Sequence, residues 1–307
     1  MDPNIPKQKP HSAEFFGEYR DYWWNADFLQ LMGKRLEFDR VKTVLDVGCG
    51  VGHWGRLLSS VLSPQTALVG IDRESSWIEE STERAAKAGL SSRFRYQLGD
   101  ATKIPFPENS FDLVTCQTLL IHLKSPREGL REMLRVLRPG GLLLCAEPNN
   151  FSSAIGVNNL SAEMAIPEIM DLLCFWYTCE RGKEALGLGH NSCGDLIPGY
   201  MAELGVENVR AYLSDKAVPL FPPYLRDEQR ANLDQSCEWA DRGILGWDRE
   251  EARTYFVAGG GTGIEFERLW ALALLDAKRT VQAMKDGRFH TGGGSIFYLI
   301  SGTKPGH

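Results

Sequence analysis

Residues 44–53 have the sequence Val-Leu-Asp-Val-Gly-Cys-Gly-Val-Gly-His, in which an apolar run passes directly into three alternating glycines. The run 41–47 predicts a buried strand, and the residues after Gly52 predict a helix over 53–62. Glycine lets the backbone turn sharply and approach a ligand with no side chain between them. Because open α/β sheets bind ligands at the carboxyl ends of their strands, this turn is a candidate binding site.

The same alternation of apolar runs and amphipathic stretches continues along the chain. Continuous apolar strands that alternate with helices indicate a parallel sheet covered on both faces. We therefore predict an α/β fold with a doubly wound, mostly parallel seven-stranded sheet, helices on both faces and helical cap insertions. After the first strand, the predicted strands are 67–71, 93–98, 111–116, 142–146, 206–213 and 295–303.

The predicted elements divide the chain into a core and its cap. Residues 37–150 hold five of the strands, and the later segments add the remaining two. The other parts are an N-terminal helical cap segment (1–36), a helical lid (151–190), the remainder of the core sheet (191–223 and 291–307) and a helical insertion (224–290).

Composition narrows the classes of function. The chain has 307 residues, of which 43% are hydrophobic and 24% charged, as in an ordinary globular protein. Its net charge is -6 and it has no run of five or six Lys and Arg, so nucleic acid is not an expected partner. No apolar stretch of about 20 residues predicts a membrane span, and the polar, proline-rich residues 1–12 do not resemble a signal peptide.

The cysteines support a reducing location. None of the seven forms a CxxC pair, which favours isolated reduced thiols over disulfides or a metal site. We expect a cytoplasmic protein with no bound metal.

Asp72 closes the second predicted strand, 20 residues after Gly52. A carboxylate at this place can accept both hydroxyls of a ribose, although an Asp here could also cap the following helix. Counted from Gly48, the spacing is GxGxG and not the GxGxxG of dinucleotide-binding sites, and position 54 is Trp and not Gly or Ala, which disfavours a pyrophosphate packed on the helix terminus. NAD binding is therefore disfavoured.

Two further motifs complete a pattern. Gly99-Asp-Ala follows the third strand, and Arg138-Pro-Gly-Gly forms a predicted turn before the fifth. Over residues 41–148 the sequence resembles the class I, Rossmann-like S-adenosylmethionine-dependent methyltransferases, with the successive motifs in order. The resemblance implies that residues 37–150 bind S-adenosylmethionine, with S-adenosylhomocysteine as product, and that the chain is a methyltransferase.

The resemblance also implies roles for individual residues around this cofactor. For Trp77, a position beside the adenine and simple packing between helix and sheet are equally good interpretations. The cofactor-binding candidates are Asp46, Gly48, Cys49, Gly50 and Gly52 at the methionine part, Asp72 at the ribose, Arg73, Trp77, Gly99, Asp100 and Ala101 at the adenine, and Gln117 and Tyr22 at the amino-acid end.

Catalytic candidates are fewer, because an activated methyl donor makes a dedicated acid or base optional. His122 follows the fourth strand and could reach the methyl group, or it could make a structural hydrogen bond. Tyr19 on the predicted first helix is a second candidate, with core packing as its alternative. His190 lies in a glycine-rich loop; it could act as a base, but an exposed histidine is the preferred interpretation.

Three functions remain open at this point. The preferred one is methyl transfer to O, N or C of a small molecule, and the aromatic cap would suit an apolar, aromatic or cationic acceptor. The others are a protein methyltransferase and a non-catalytic partner subunit that keeps the cofactor site. An insertion 224–290 folded over the site would favour a small acceptor. Arsenic as acceptor would need thiols clustered near Cys116, and the sequence pairs it with none of Cys174, Cys179 or Cys193.

Overall fold

A computed structural model describes Arg20 and residues 22–306. Its centre is a seven-stranded sheet with the order β3-β2-β1-β4-β5-β7-β6. Neighbours among the first five strands are parallel, and β7 lies antiparallel between β5 and β6. The predicted seven-stranded, mostly parallel sheet is confirmed. Its strands are β1 (Thr43–Val47), β2 (Ala67–Asp72), β3 (Phe94–Leu98), β4 (Phe111–Gln117), β5 (Leu137–Asn149), β6 (Glu207–Leu213) and β7 (Ile296–Thr303).

Helices cover both faces of the sheet. The helix predicted over 53–62 ends earlier, at Leu58, and residues 22–25 precede the first helix without joining it. The helices are α1 (Ala26–Arg35), α2 (His53–Leu58), α3 (Ser75–Lys87), α4 (Pro126–Val136), α5 (Phe151–Ala154), α6 (Ile166–Ala185), α7 (Ile197–Glu203), α8 (Asp227–Arg242), α9 (Arg249–Ala258) and α10 (Gly263–Lys285).

Two apolar clusters lie on opposite faces of the central strands because side chains alternate along a strand. Val44 and Leu113 pack with α1, α2 and α3, whereas Leu45 and Val114 pack with α4 and α7. All four side chains are completely buried. Burial on both faces explains why these strands are continuous apolar runs.

The predicted turn at Arg138-Pro-Gly-Gly is wrong. The structure places these residues inside β5, where pairing passes from Phe111 with Leu137 to Leu113 with Leu142, so β5 bulges. Gly140 has φ 72° and donates its N–H to the Lys304 carbonyl at 2.9 Å. The glycines therefore extend a strand beside β7 and do not separate a helix from a strand.

The cap helices form a second apolar core beyond the sheet. Phe175 of α6 stacks with Phe256 of α9, and Phe266 and Trp270 of α10 complete the cluster. Most cap aromatics thus join helix to helix. Among the helices of the described residues, none is long and apolar enough to cross a membrane.

Candidate functional site

The candidate site lies at the carboxyl edge of the sheet between β1 and β4, where the strand order reverses direction. The loop after β1 carries Gly48, Gly50 and Gly52 at φ 67°, 50° and 73°, all in the left-handed region that glycine tolerates. A Cβ on Gly48 would lie 2.6 Å from Leu119, and one on Gly52 would lie 2.6 Å from the Tyr96 hydroxyl. Gly48 and Gly52 are thus favoured by close packing as well as by the turn.

Asp72 joins the first two loops of the site. Its Oδ2 accepts the Gly50 N–H at 2.9 Å, and its Oδ1 accepts the Glu74 N–H at 3.0 Å. The carboxylate therefore holds the glycine loop and the start of α3 together. Each oxygen keeps a second lone pair with which it can accept from a ligand.

Asp46 is completely buried behind the glycine loop. Its Oδ2 accepts the Gly55 N–H at 3.2 Å, whereas Oδ1 has no hydrogen-bond partner within the described part of the chain. Burial, with a smaller contribution from the charge of Asp72, raises the pKa of Asp46 to about 8. Burial also raises the pKa of Tyr96, whose buried hydroxyl oxygen is unpartnered in the same region. An unpartnered buried carboxyl oxygen suits a cationic or N–H-bearing ligand.

The loop after β3 brings a second carboxylate to the edge. Asp100 is exposed, and its Oδ1 accepts from the Thr102 N–H and hydroxyl at 2.7 Å each, which lowers the pKa of Asp100. Gly99 donates its N–H to the Asp72 carbonyl at 2.9 Å, and Ala101 is buried beside it. Asp100 Oδ2 remains available to a ligand at this edge.

The residues predicted beside the adenine lie where α3 begins. Arg73 is exposed and forms an ion pair with Glu74 at 3.4 Å, and Trp77 is half-buried in the first turn of the helix. Cys49 is buried in the glycine loop, with its N–H bound to the Ile71 carbonyl.

The loop after β4 holds the amino-acid end of the predicted site. Gln117 is buried, and neither its amide nitrogen nor its amide oxygen has a partner in the described region. Arg20 donates to the Thr118 hydroxyl at 3.0 Å. Tyr22 is half-buried near this N-terminal segment, whereas Tyr19 lies outside the described residues.

His122 is half-buried in a short 3₁₀ helix, Leu120–His122, that follows β4. A Cβ on Gly189 would lie 2.2 Å from the Ile121 carbonyl and 2.7 Å from His122 Cα, so the loop after α6 rests on this helix. The expectation that His190 is exposed is wrong. His190 is half-buried, and its Nδ1 accepts the Ser192 N–H at 3.1 Å because the loop folds back on the core.

Sequence reasoning missed Glu147, which ends the apolar part of β5. The side chain is completely buried, and its Oε1 accepts the N–H groups of Leu119 and Leu120 at 2.9 Å each. Burial raises the pKa of Glu147 to about 7. The available signal was a lone carboxylate at the end of an otherwise apolar strand.

The cysteines do not form an accessible thiol site. Cys116, Cys145 and Cys193 are completely buried near Glu147, and burial raises the pKa of Cys116 and Cys193 well above its usual range. These two thiols are therefore protonated at neutral pH, which disfavours arsenic as acceptor. All seven cysteines are free. No group of three or more metal-ligating side chains is assembled in the described residues.

Comparison with known proteins identifies the first half of the chain. Residues 38–189 match the methyltransferase domain family. This region is a methyltransferase domain. Binding of S-adenosylmethionine is typical of the family. The unpartnered Asp46 oxygen, the glycine loop and the two edge carboxylates of the methyltransferase domain fit a ligand with a positive charge, a ribose and an adenine amino group.

Curated relatives of the methyltransferase domain resemble only part of the chain. A demethylmenaquinone methyltransferase of Listeria monocytogenes is 33% identical over 129 residues, covering 41% of this chain and 52% of the relative. A demethylmenaquinone methyltransferase of Symbiobacterium thermophilum is 30% identical over 163 residues, covering 53% and 62%. The chain thus spans about half to three fifths of the length of these relatives.

Solved structures confirm the fold of the methyltransferase domain and its cap. The [4+2]-cyclase SpnF superposes with a TM-score of 0.51 at 21% identity, covering 92% of this chain and 86% of that one. This similarity concerns the fold alone, since one fold can carry different reactions.

Proposed function

We propose that this chain is an S-adenosylmethionine-dependent methyltransferase that transfers a methyl group to O, N or C of a small molecule. The observation that carries the proposal is the hydrogen bond from the Gly50 N–H to the Asp72 carboxylate at 2.9 Å. It joins the glycine turn after β1 to the edge carboxylate of β2 at the point where the strand order reverses. Ligands of open α/β sheets bind at such a point.

The roles of the site residues follow from their positions along this edge. Asp46 offers its unpartnered oxygen to the cationic methionine part, Asp72 accepts from the ribose, and Asp100 accepts from the adenine amino group. Arg73, Trp77, Gly99 and Ala101 border the adenine, and Tyr22, Cys49 and Gln117 border the amino-acid end together with the three glycines. Both amide groups of Gln117 are buried and unsatisfied in the described region, so a polar ligand there removes their desolvation cost.

When bound, the cofactor supplies an already activated methyl group. The chain then has to hold the acceptor in line with that group and exclude water, which together account for much of the rate. We expect His122, in the short 3₁₀ helix that follows β4, to lie near the mouth of the site and to accept a proton from an acceptor that loses one during attack. Tyr19 remains a second candidate for this position.

The packing of the lid supports a small acceptor. The loop after α6 lies directly on the helix that carries His122, and the Asn150 side chain donates to the Asn191 carbonyl at 2.9 Å. In the insertion, α9 and α10 pack on α6, and α8 packs on α10. A lid that covers the site favours a small molecule over a peptide in an open groove.

The proposal is tested by binding and by transfer. Calorimetry with S-adenosylhomocysteine should give a micromolar or tighter dissociation constant, with no comparable binding of NAD. Transfer of a labelled methyl group is then assayed on demethylated quinones, phenols, amines and a peptide library. Labelling confined to small molecules supports the proposal, and labelling of peptides alone indicates a protein methyltransferase. Binding without transfer indicates a partner subunit, and absence of binding contradicts the cofactor site itself.

A further inference from the structure

The segment 118–122 after β4 has a strained backbone. Thr118 has φ 51°, in the left-handed region that a β-branched residue rarely adopts. Such conformations cost free energy and persist only where the surrounding structure holds them. The N–H of Thr118 is bound to the Ala146 carbonyl at 2.9 Å, so the strain begins where the β4–β5 pairing ends.

This segment contacts the cofactor loop on one side and the lid on the other. The Leu119 side chain lies over Gly48, where it occupies the place of a Cβ. On the opposite side, Gly189 of the lid loop rests on the backbone of Ile121 and His122. The position of the segment therefore determines both the shape of the glycine loop and the surface on which the lid loop packs.

The Glu147 side chain holds the middle of this segment in position. Glu147 Oε1 accepts the N–H groups of the two residues that follow Thr118, Leu119 and Leu120, and it also accepts from the Cys116 thiol at 3.5 Å. Without this acceptor, two N–H groups would lose their hydrogen bonds at a largely buried position. A buried carboxyl with an unpartnered Oε2 is itself costly, so the fold retains it at a penalty. The titratable side chains near it include the buried thiols of Cys145 and Cys193.

We propose that Glu147 is a positioning residue of the methyltransferase, which fixes the segment 118–122 so that Leu119 shapes the glycine loop and His122 faces the acceptor. The inference rests on the proposed function, since it assumes that the glycine loop binds S-adenosylmethionine. In this role Glu147 acts through the backbone N–H groups of Leu119 and Leu120.

The test uses variants of similar shape. Glu147→Gln keeps an acceptor oxygen at the Oε1 position, whereas Glu147→Met removes it. We expect hydrogen exchange of the peptide that contains Leu119 and Leu120, measured by mass spectrometry on the cofactor-free protein, to rise at least tenfold in Glu147→Met and to stay near the wild type in Glu147→Gln. The dissociation constant of S-adenosylhomocysteine should rise at least tenfold in Glu147→Met and less than threefold in Glu147→Gln.

A destabilised control separates positioning from general loss of stability. Met201→Ala opens the same apolar cluster from α7, where Met201 is completely buried, and should lower the melting temperature while leaving the affinity unchanged. Leu119→Ala removes the contact with Gly48 from a half-buried side chain and should weaken binding several-fold even if Glu147→Met does not fold.

The outcomes are distinguishable from failure of the proposed function. If the wild type does not bind S-adenosylhomocysteine, the proposed function fails, and the exchange data alone still decide whether Glu147 holds the segment. If the wild type binds S-adenosylhomocysteine, and both Glu147→Met and Leu119→Ala bind it as tightly as the wild type, the positioning role is overturned. Equal losses in Glu147→Gln and Glu147→Met would also overturn it, because the acceptor oxygen would then be irrelevant.

Discussion

The candidate site is built around four single carboxylates, which differ in burial and in hydrogen bonding. Asp72 is half-buried and binds two backbone N–H groups, Asp46 and Glu147 are completely buried with one unpartnered oxygen each, and Asp100 is exposed. The two buried groups have raised pKa values because burial disfavours their charged forms. A carboxylate can therefore hold a loop, attract a cation or accept a hydrogen bond from a ligand, depending on its surroundings.

Asp72→Ala should weaken binding of S-adenosylhomocysteine roughly 10- to 150-fold, since hydrogen bonds to charged groups contribute about 1.5–3 kcal/mol. Isothermal calorimetry measures the change. The matched control is Asp112→Ala, because Asp112 also accepts backbone N–H groups, from Lys42 and Thr43, but at the opposite edge of the sheet. The control should lose stability and keep its affinity. Unchanged affinity in Asp72→Ala would refute the placement of the ribose.

Asp46 should make the cofactor-free protein less stable as pH rises. Its pKa is 3.8 in the ordinary state and about 8 when folded, so the folded protein binds the proton more tightly than the unfolded chain. Between these values the unfolded state carries fewer protons, and the free energy of unfolding falls with rising pH, by an amount on the order of a few kcal/mol.

Urea denaturation at pH 5 and pH 8 measures this dependence. Asp46→Asn should flatten the decline, leaving the contributions of Glu147, Glu180 and Asp276, whose pKa values burial raises in the same direction. Equal slopes in the wild type and in Asp46→Asn would contradict the assignment.

At the scale of elements, glycines decide how closely helices approach each other. A Cβ on Gly182 of α6 would lie 1.6 Å from the Tyr255 carbonyl of α9, and one on Gly259 would lie 2.1 Å from the Thr178 carbonyl. The helix pair of the cap therefore packs backbone to backbone. The glycine run after α9 serves this packing as well as the connection to α10.

Gly182→Ala should lower the free energy of unfolding by about 3 kcal/mol, at the upper end of the usual cost of overpacking. Chemical denaturation measures it. Gly199 in α7 is exposed and has open space around it, so Gly199→Ala should stabilise the protein by about 0.5–1 kcal/mol through helix propensity. Equal effects of the two substitutions would show that α6 and α9 do not pack as described.

At the scale of the whole molecule, the sheet edge and the cap are joined through the segment after β4. A ligand held at that edge should stabilise the entire fold by mass action, by about 2.7 kcal/mol at a concentration one hundred times its dissociation constant. We expect S-adenosylhomocysteine to raise the melting temperature by about 5 °C. Differential scanning fluorimetry with NAD as the control ligand checks this, and an equal rise with NAD would contradict the specificity of the site.

Much of this architecture was predictable because it depends on local patterns. The apolar runs indicated all seven strands. The start of α4 is also a local feature, since Pro126 is its first residue and the Ser125 hydroxyl accepts the Glu128 N–H. The turn predicted at Arg138 failed because its glycines gain hydrogen bonds from Lys304, far along the chain. Local patterns cannot report such a partner.

By itself, the sequence determined the order of elements, the glycine turn after β1 and the carboxylates at the ends of β2 and β3. These follow from backbone preferences and from the period of apolar residues, which are properties of neighbours in the chain. Only the tertiary structure decided that Glu147 holds Leu119 and Leu120 and that Gly189 rests on His122. Those contacts depend on which strands become neighbours and how the lid folds back, because a buried hydrogen bond forms only where folding brings distant groups together.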